Sequence, residues 1–125
     1  MAENRQWPSE LRLRENGRVL RISFENGAAF DLSAEYLRVM SQSAEVQGHR
    51  REDRLTVGGK RDCRVIGIEE VGTYAVRLIF DDLHSTGIYT WTYLYELGSR
   101  YDEKWGSYQS ELQAKGLSRD RQGQA

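Results

Sequence analysis

The stretch "LRLRENGRVLRISFENGAAFDLS", Leu11 to Ser33, decides the fold. Leu11 and Leu13 alternate with Arg12 and Arg14, and Leu20, Ile22 and Phe24 resume the alternation after a break. Phe30 and Leu32 carry it into a third run. A period of two places successive side chains on opposite faces of a strand. Asn16-Gly17 at the first break suits a type I′ hairpin turn, whose two central residues both need positive φ. Asn26-Gly27 begins the second turn. The segment therefore reads as a three-stranded antiparallel meander with one apolar face.

Beyond it, Ser33 is a helix N-cap candidate, with Glu35 placed to complement the helix dipole. Tyr36, Leu37 and Met40 then predict a helix of about two turns. "SQSAEVQGH", Ser41 to His49, is where that helix stops. Residues 50–64 read as a loop, with one short strand at Leu55–Val57.

A second β unit starts at Val65. Ile66 and Ile68 alternate, "EEVGT" turns, and Tyr74, Val76, Leu78 and Phe80 alternate again. After "DDLHSTG", Ile88 and Tyr89 make a short strand, and Thr90 caps a helix that Gly98 closes. Tyr101, Trp105, Tyr108 and Leu112 form the stripe of a longer helix that Gly116 ends. The expected class is α+β. It has two small, mostly antiparallel β units, a short helix between them, and one short and one longer helix at the C-terminal end. Residues 1–8 are expected to be a flexible N-terminus, 9–116 a single domain, and 117–125 a disordered tail.

The 125 residues suffice for one domain with one core. The formal net charge of −1 supplies no global field for nucleic acid or an anionic membrane. Ten Trp and Tyr residues add apolar bulk to a modest aliphatic content. Cys63 is the only cysteine, so an internal disulfide and a cysteine metal cluster are both excluded. With no apolar leader and no long apolar run, the chain reads as a cytosolic protein.

No serine sits in a Gly-x-Ser-x-Gly elbow, which argues against hydrolase chemistry. His49, His84 and Asp82 are the residues from which a two-histidine, one-carboxylate iron site would be built, although their spacing gives it no support. "VGGKRDCR" resembles an anion nest through Lys60 and Arg61, but lacks the full phosphate-loop pattern. The dense aromatic set from Tyr89 to Tyr108 reads mostly as core. One exposed aromatic patch, including Trp91 and Tyr93, is expected beside the turn that holds His84.

Several strings together resemble one family: "FENGAAFDLSAEYLRV", "SQSAEVQGH", "GKRD" and "VGTYAVRLIFDDLHSTGIYTWTYLYELG". They are similar to the gamma-butyrobetaine hydroxylase-like N-terminal domain, most closely its short stand-alone bacterial members, over about residues 9–118. In oxygenases this domain precedes an iron- and 2-oxoglutarate-dependent catalytic domain, and there it resembles a small zinc module. The resemblance implies ligands from a C-x-C-x-x-C run after the helix and from a later histidine turn. On this chain those positions hold Ser41, Ser43, Val46 and His84, with Leu83 where the family usually has glycine. Serine is a poor zinc ligand at neutral pH and valine is none.

The same domain type is also fused to P-loop proteins that handle iron–sulfur clusters, which implies a reusable docking or substrate-carrier module rather than a catalyst. The expectation is therefore a non-catalytic module with no resident cofactor, binding an unknown protein partner through Ser41, Ser43, Glu45, His49, His84, Trp91 and Tyr93. Neither nucleic acid nor membrane is an expected partner. An accessory role in iron or iron–sulfur work, with His49, His84 and Asp82 as ligands to iron or zinc, is the alternative.

Overall fold

The computed structural model describes residues 7–41, 58–82 and 87–120. Strands β1 (Pro8–Arg14), β2 (Val19–Phe24) and β3 (Ala29–Ser33) form one antiparallel sheet in that order. Helix α1 (Ala34–Val39) follows directly. Strands β4 (Val65–Val71), β5 (Ala75–Phe80) and β6 (Ile88–Thr90) form a second antiparallel sheet, and α2 (Trp91–Ser99) and α3 (Tyr101–Ala114) complete the α+β fold. The expected strand at Leu55–Val57 lies outside the described residues.

The first hairpin turns as its Asn-Gly pair requires. Leu13 pairs with Leu20 and Arg14 with Val19, leaving Asn16 (φ 59°) and Gly17 (φ 86°) at the tip, where the Arg18 N–H donates to Glu15 O at 3.1 Å. Gly17 is needed twice, because a Cβ there would lie 2.3 Å from Val65 O. The tip of the first sheet thus rests on the backbone of the second.

Both sheets turn their apolar faces onto α1. Leu20, Ile22, Phe24 and Leu32 from one side, and Val65, Val76, Leu78 and Phe80 from the other, share a single core with Tyr36 and Leu37. Ser33 caps α1 as expected, its Oγ accepting from Tyr36 N at 3.0 Å, and Thr90 does the same for α2 through Tyr93 N. All six residues of α1 are buried, Glu35 and Arg38 included.

Four local expectations change on packing. Ile66 is 57% exposed, because a bulge between Val65 and Gly67 breaks the alternation of β4. Gly98 lies inside α2 and does not end it. Its missing side chain makes room for the Phe30 ring, which a Cβ would meet at 2.3 Å. Pro8 already belongs to β1, and Glu25 N–H donates to Trp7 O, so the described end of the N-terminal segment is paired.

The fourth change concerns the C-terminal tail. Gly116 (φ 67°) does end α3, with Leu117 N–H donating to Leu112 O and Gly116 N–H to Gln113 O, a Schellman closure. Residues 117–120 then run back over the domain instead of trailing away. Gly59 N–H donates to Ser118 O and Arg61 N–H to Arg119 O. Arg119 donates to both carboxylate oxygens of Glu35, each at 2.7 Å, and lies 5.3 Å over the Trp105 ring.

Glu35 is 5% exposed, so removing its partner would strand a buried carboxylate. Arg119→Ala is expected to cost about 3 kcal/mol, the low end for a broken buried pair because Arg119 keeps some solvent. Urea denaturation would measure it. Glu35→Gln added to Arg119→Ala should recover part of the loss.

Candidate functional site

The last carbonyls of a helix have no partner within it. At the end of α1 two tyrosines supply one. The Tyr89 hydroxyl donates to Leu37 O at 2.5 Å, and the Tyr93 hydroxyl donates to Met40 O at 2.6 Å. Ser41 is buried and hydrogen-bonds the Tyr89 hydroxyl. These contacts make a relay from the Ser41 side chain through Tyr89 to the backbone of α1. Burial, the largest influence, pushes the Tyr89 hydroxyl well above its ordinary value, while the Ser41 hydrogen bond opposes it.

Gly87, just before β6, closes the corner. A Cβ on it would fall 2.4 Å from Ser41 Oγ and 3.3 Å from the Tyr89 ring. The residue that leaves α1 and the residue that enters β6 are therefore packed together. Ser43, Glu45, His49 and His84 lie outside the described residues.

A charged cluster flanks this corner. Arg38 Nε donates to Asp82 Oδ2 at 3.0 Å, and Lys60 Nζ donates to the same oxygen at 2.5 Å. The Arg38 side chain is 10% exposed, against 22% for Lys60 and 24% for Asp82. Arg38 Nη1 is buried and finds no acceptor among the described residues. Next to the cluster, Arg64 pairs with Asp81 through Nε at 3.5 Å and its backbone N–H at 3.2 Å.

Cys63 lies against α1, its Sγ–H donating to Ala34 O at 3.6 Å. Burial, then the Asp82 and Asp81 carboxylates, pushes its thiol up to about 12, with Arg38 and Lys60 opposing. A thiol held protonated this way is a packing group and not a nucleophile at neutral pH.

The structure redistributes the residues singled out by sequence. Lys60 and Arg61 do not share an anion nest: Lys60 binds Asp82, and Arg61 binds Asp120 at 2.5 Å. The preceding glycines seat the C-terminal strap, since a Cβ on Gly58 would meet Ser118 O at 2.7 Å. Trp91 is 8% exposed and its Nε1–H donates to Thr73 O at 2.9 Å, so it is no exposed anchor. Tyr93 is half-buried at the corner.

Asp82 already has one oxygen between two cations, which works against it as a metal ligand. No group of three or more His, Cys, Asp or Glu that could hold a metal ion occurs among the described residues. At Ser41, where the resemblance places a cysteine ligand, the buried hydroxyl faces the Tyr89 hydroxyl, and a serine is in any case a poor zinc ligand at neutral pH. Arg38 was missed by the sequence reading. Its signal was a cation set between Leu37 and Val39 in a helix too short to offer a solvent face.

Two measurements test this geometry. Tyr89→Phe leaves Leu37 O and the Ser41 hydroxyl buried without their shared partner, and should cost about 1–3 kcal/mol in chemical denaturation. The raised thiol also sets an alkaline limit. The folded state holds the Cys63 proton up to about 12 and the unfolded state releases it from 9.0 upward, so stability is complete below pH 9 and falls as pH climbs through that window. Tyr108, pushed up to about 12 by burial, adds to the fall from its ordinary 10.0. Melting temperature should decline from pH 9, less steeply at first in Cys63→Ala.

Residues 11–95 match the family model described as gamma-butyrobetaine hydroxylase-like, N-terminal. Two solution NMR structures are similar to the chain. One is 40% identical, with a TM-score of 0.81, 98% of this chain covered and 96% of that one. The other is 41% identical, with a TM-score of 0.81 and coverages of 97% and 92%. A crystal structure at 1.93 Å of a protein of unknown function from Acidithiobacillus ferrooxidans, of the DUF971 family, is 35% identical. It has a TM-score of 0.63, with 77% of this chain covered and 97% of that one. A comparison with curated proteins gives no match. The chain belongs to the gamma-butyrobetaine hydroxylase-like N-terminal domain family.

Proposed function

We propose that this domain is a non-catalytic binding module that engages another protein at the corner where α1 ends and β6 begins. The observation that carries the reading is the convergence there of Met40, Ser41, Gly87 and Tyr93. Tyr93 ties α2 to the last turn of α1, Ser41 packs on Gly87, and Tyr93 as a whole stays only half-buried. Tyrosine offers a large rigid contact area with a polar tip, the property that makes it frequent in interface anchors. Of the two aromatics expected in the patch, Trp91 is buried and Tyr93 is the one that stays half-exposed.

The chemistry of the neighbouring groups supports binding over catalysis. The thiol of Cys63 is held protonated, and the charged side chains of Glu35, Arg38, Lys60 and Asp82 are engaged in ion pairs that shape the fold. No helix among the described residues is long and apolar enough to cross a membrane. A cytoplasmic setting agrees with the lone reduced thiol.

A photo-cross-linking residue placed at Tyr93 in the full chain should capture one reproducible protein partner in native cells. The same probe at Ile66, exposed on the bulge of β4, should not. Identical products at both positions, or none at Tyr93 in a folded protein, would reject the interface.

A further inference from the structure

We infer that the buried guanidinium of Arg38 and the rim ammonium of Lys60 form a binding site for a small oxyanion, a carboxylate or a phosphate. The inference stands apart from the proposed protein interface, because it rests on an unsatisfied donor and on local charge.

Two cations converge on a single oxygen of Asp82. The adjacent Arg64–Asp81 pair is self-compensated. The described charged groups around the corner, Arg38, Lys60 and Arg64 against Asp81 and Asp82, therefore leave one positive charge over. An uncompensated charge is tolerable at an exposed surface and unfavourable in a buried place. Arg38 is only 8% exposed. Its Nη1 has hydrogens to donate and no acceptor among the described residues, which is rare for a buried polar atom.

An oxyanion answers both deficits at once. One oxygen accepts from Arg38 Nη1, another from a spare hydrogen of Lys60 Nζ, and the ligand's charge offsets the excess. Charge-assisted bonds of this kind are about twice as strong as neutral ones. A neutral acceptor would satisfy the donor and leave the charge. Lys60 and Asp82 are partly exposed, so the ligand would meet the rim ammonium first and reach the buried Arg38 Nη1 only by displacing what packs over it.

The test uses the full chain and nitrogen-detected side-chain NMR. Inorganic phosphate and acetate are titrated separately at constant ionic strength, with chloride as the screening control. The expected result is a saturable shift of the Arg38 guanidinium signals and of the Cys63 amide, absent with chloride, and whichever anion binds tighter identifies the source. Lys60→Met should weaken binding about tenfold, or roughly 1.4 kcal/mol, while Lys60→Arg retains it. Because Lys60 sits at the rim and Arg38 still pairs with Asp82, Lys60→Met should keep the parent's circular dichroism, with only a modest drop in melting temperature. Linear shifts equal to those with chloride, or equal affinity in the parent and in a folded Lys60→Met protein, would overturn the site. Either failure leaves the Tyr93 cross-linking result untouched.

Discussion

A six-residue helix buried on every side and carrying two charged residues is the constraint on which the fold turns. A helix that short has no independent stability, so α1 persists only because both sheets and α2 enclose it. Enclosure then exposes Glu35 and Arg38 to the desolvation penalty of buried charge. Each must be met by an opposite charge from elsewhere, and the partners are distant in sequence. Arg119 follows Glu35 by 84 residues and Asp82 follows Arg38 by 44. The path of the C-terminal strap and the position of the β5 exit are therefore set by the needs of one short helix. Such pairs add little net stability over an apolar replacement, but losing one partner leaves a buried ion uncompensated.

The tyrosines address the other weakness of a buried helix, its loose carbonyls. Tyr89 and Tyr93 donate to Leu37 O and Met40 O at the end of α1, and Tyr36 donates from α1 to Leu97 O in the last turn of α2 at 2.7 Å. Every one of these hydroxyls lies at the far side of a ring that packs in or beside the core, so one residue supplies apolar area and terminates a backbone group. Burial raises the Tyr36 hydroxyl as it does that of Tyr89, which keeps both protonated as donors. The edge-to-face contacts of Phe24, Phe30 and Tyr95, and the contacts of Tyr36 with Tyr101 and Trp105, hold α2 and α3 against the same core.

What could be read along the chain was whatever is decided locally. Period-two alternation located β2 and β5, Asn16-Gly17 announced its turn, and Ser33 and Thr90 marked two helix starts, because each depends on residues within a few positions. The misread features depend on contacts across the fold. Ile66 looks like a core strand residue until the bulge turns it outward. Gly98 looks like a helix terminator until Phe30 occupies its empty side. "LSRD" is polar and terminal, and nothing within it reveals that Glu35 waits for Arg119. In the candidate site, Ser41 was found through resemblance, yet its commitment to Tyr89 and its contact with Gly87 follow only from three-dimensional packing. Trp91 looks outward-facing because aromatics crowd a short helix, and nothing in the local pattern points to Thr73 O, which receives its N–H.

The corner at the end of α1 is held, among the described residues, by side-chain hydrogen bonds and ion pairs. The resemblance implies relatives in which thiolates meet a metal at this place, and there metal binding itself contributes folding free energy. Here a hydroxyl relay from Ser41 to Leu37 O and a carboxylate shared by Arg38 and Lys60 hold the same junction. A thiolate set is anionic and attracts a metal ion, whereas two cations around one carboxylate repel it and favour an anion. The pairing of Arg38 and Lys60 with one oxygen of Asp82 gives this side of the corner a cationic bias among the described residues, whatever occupies the loop that follows α1.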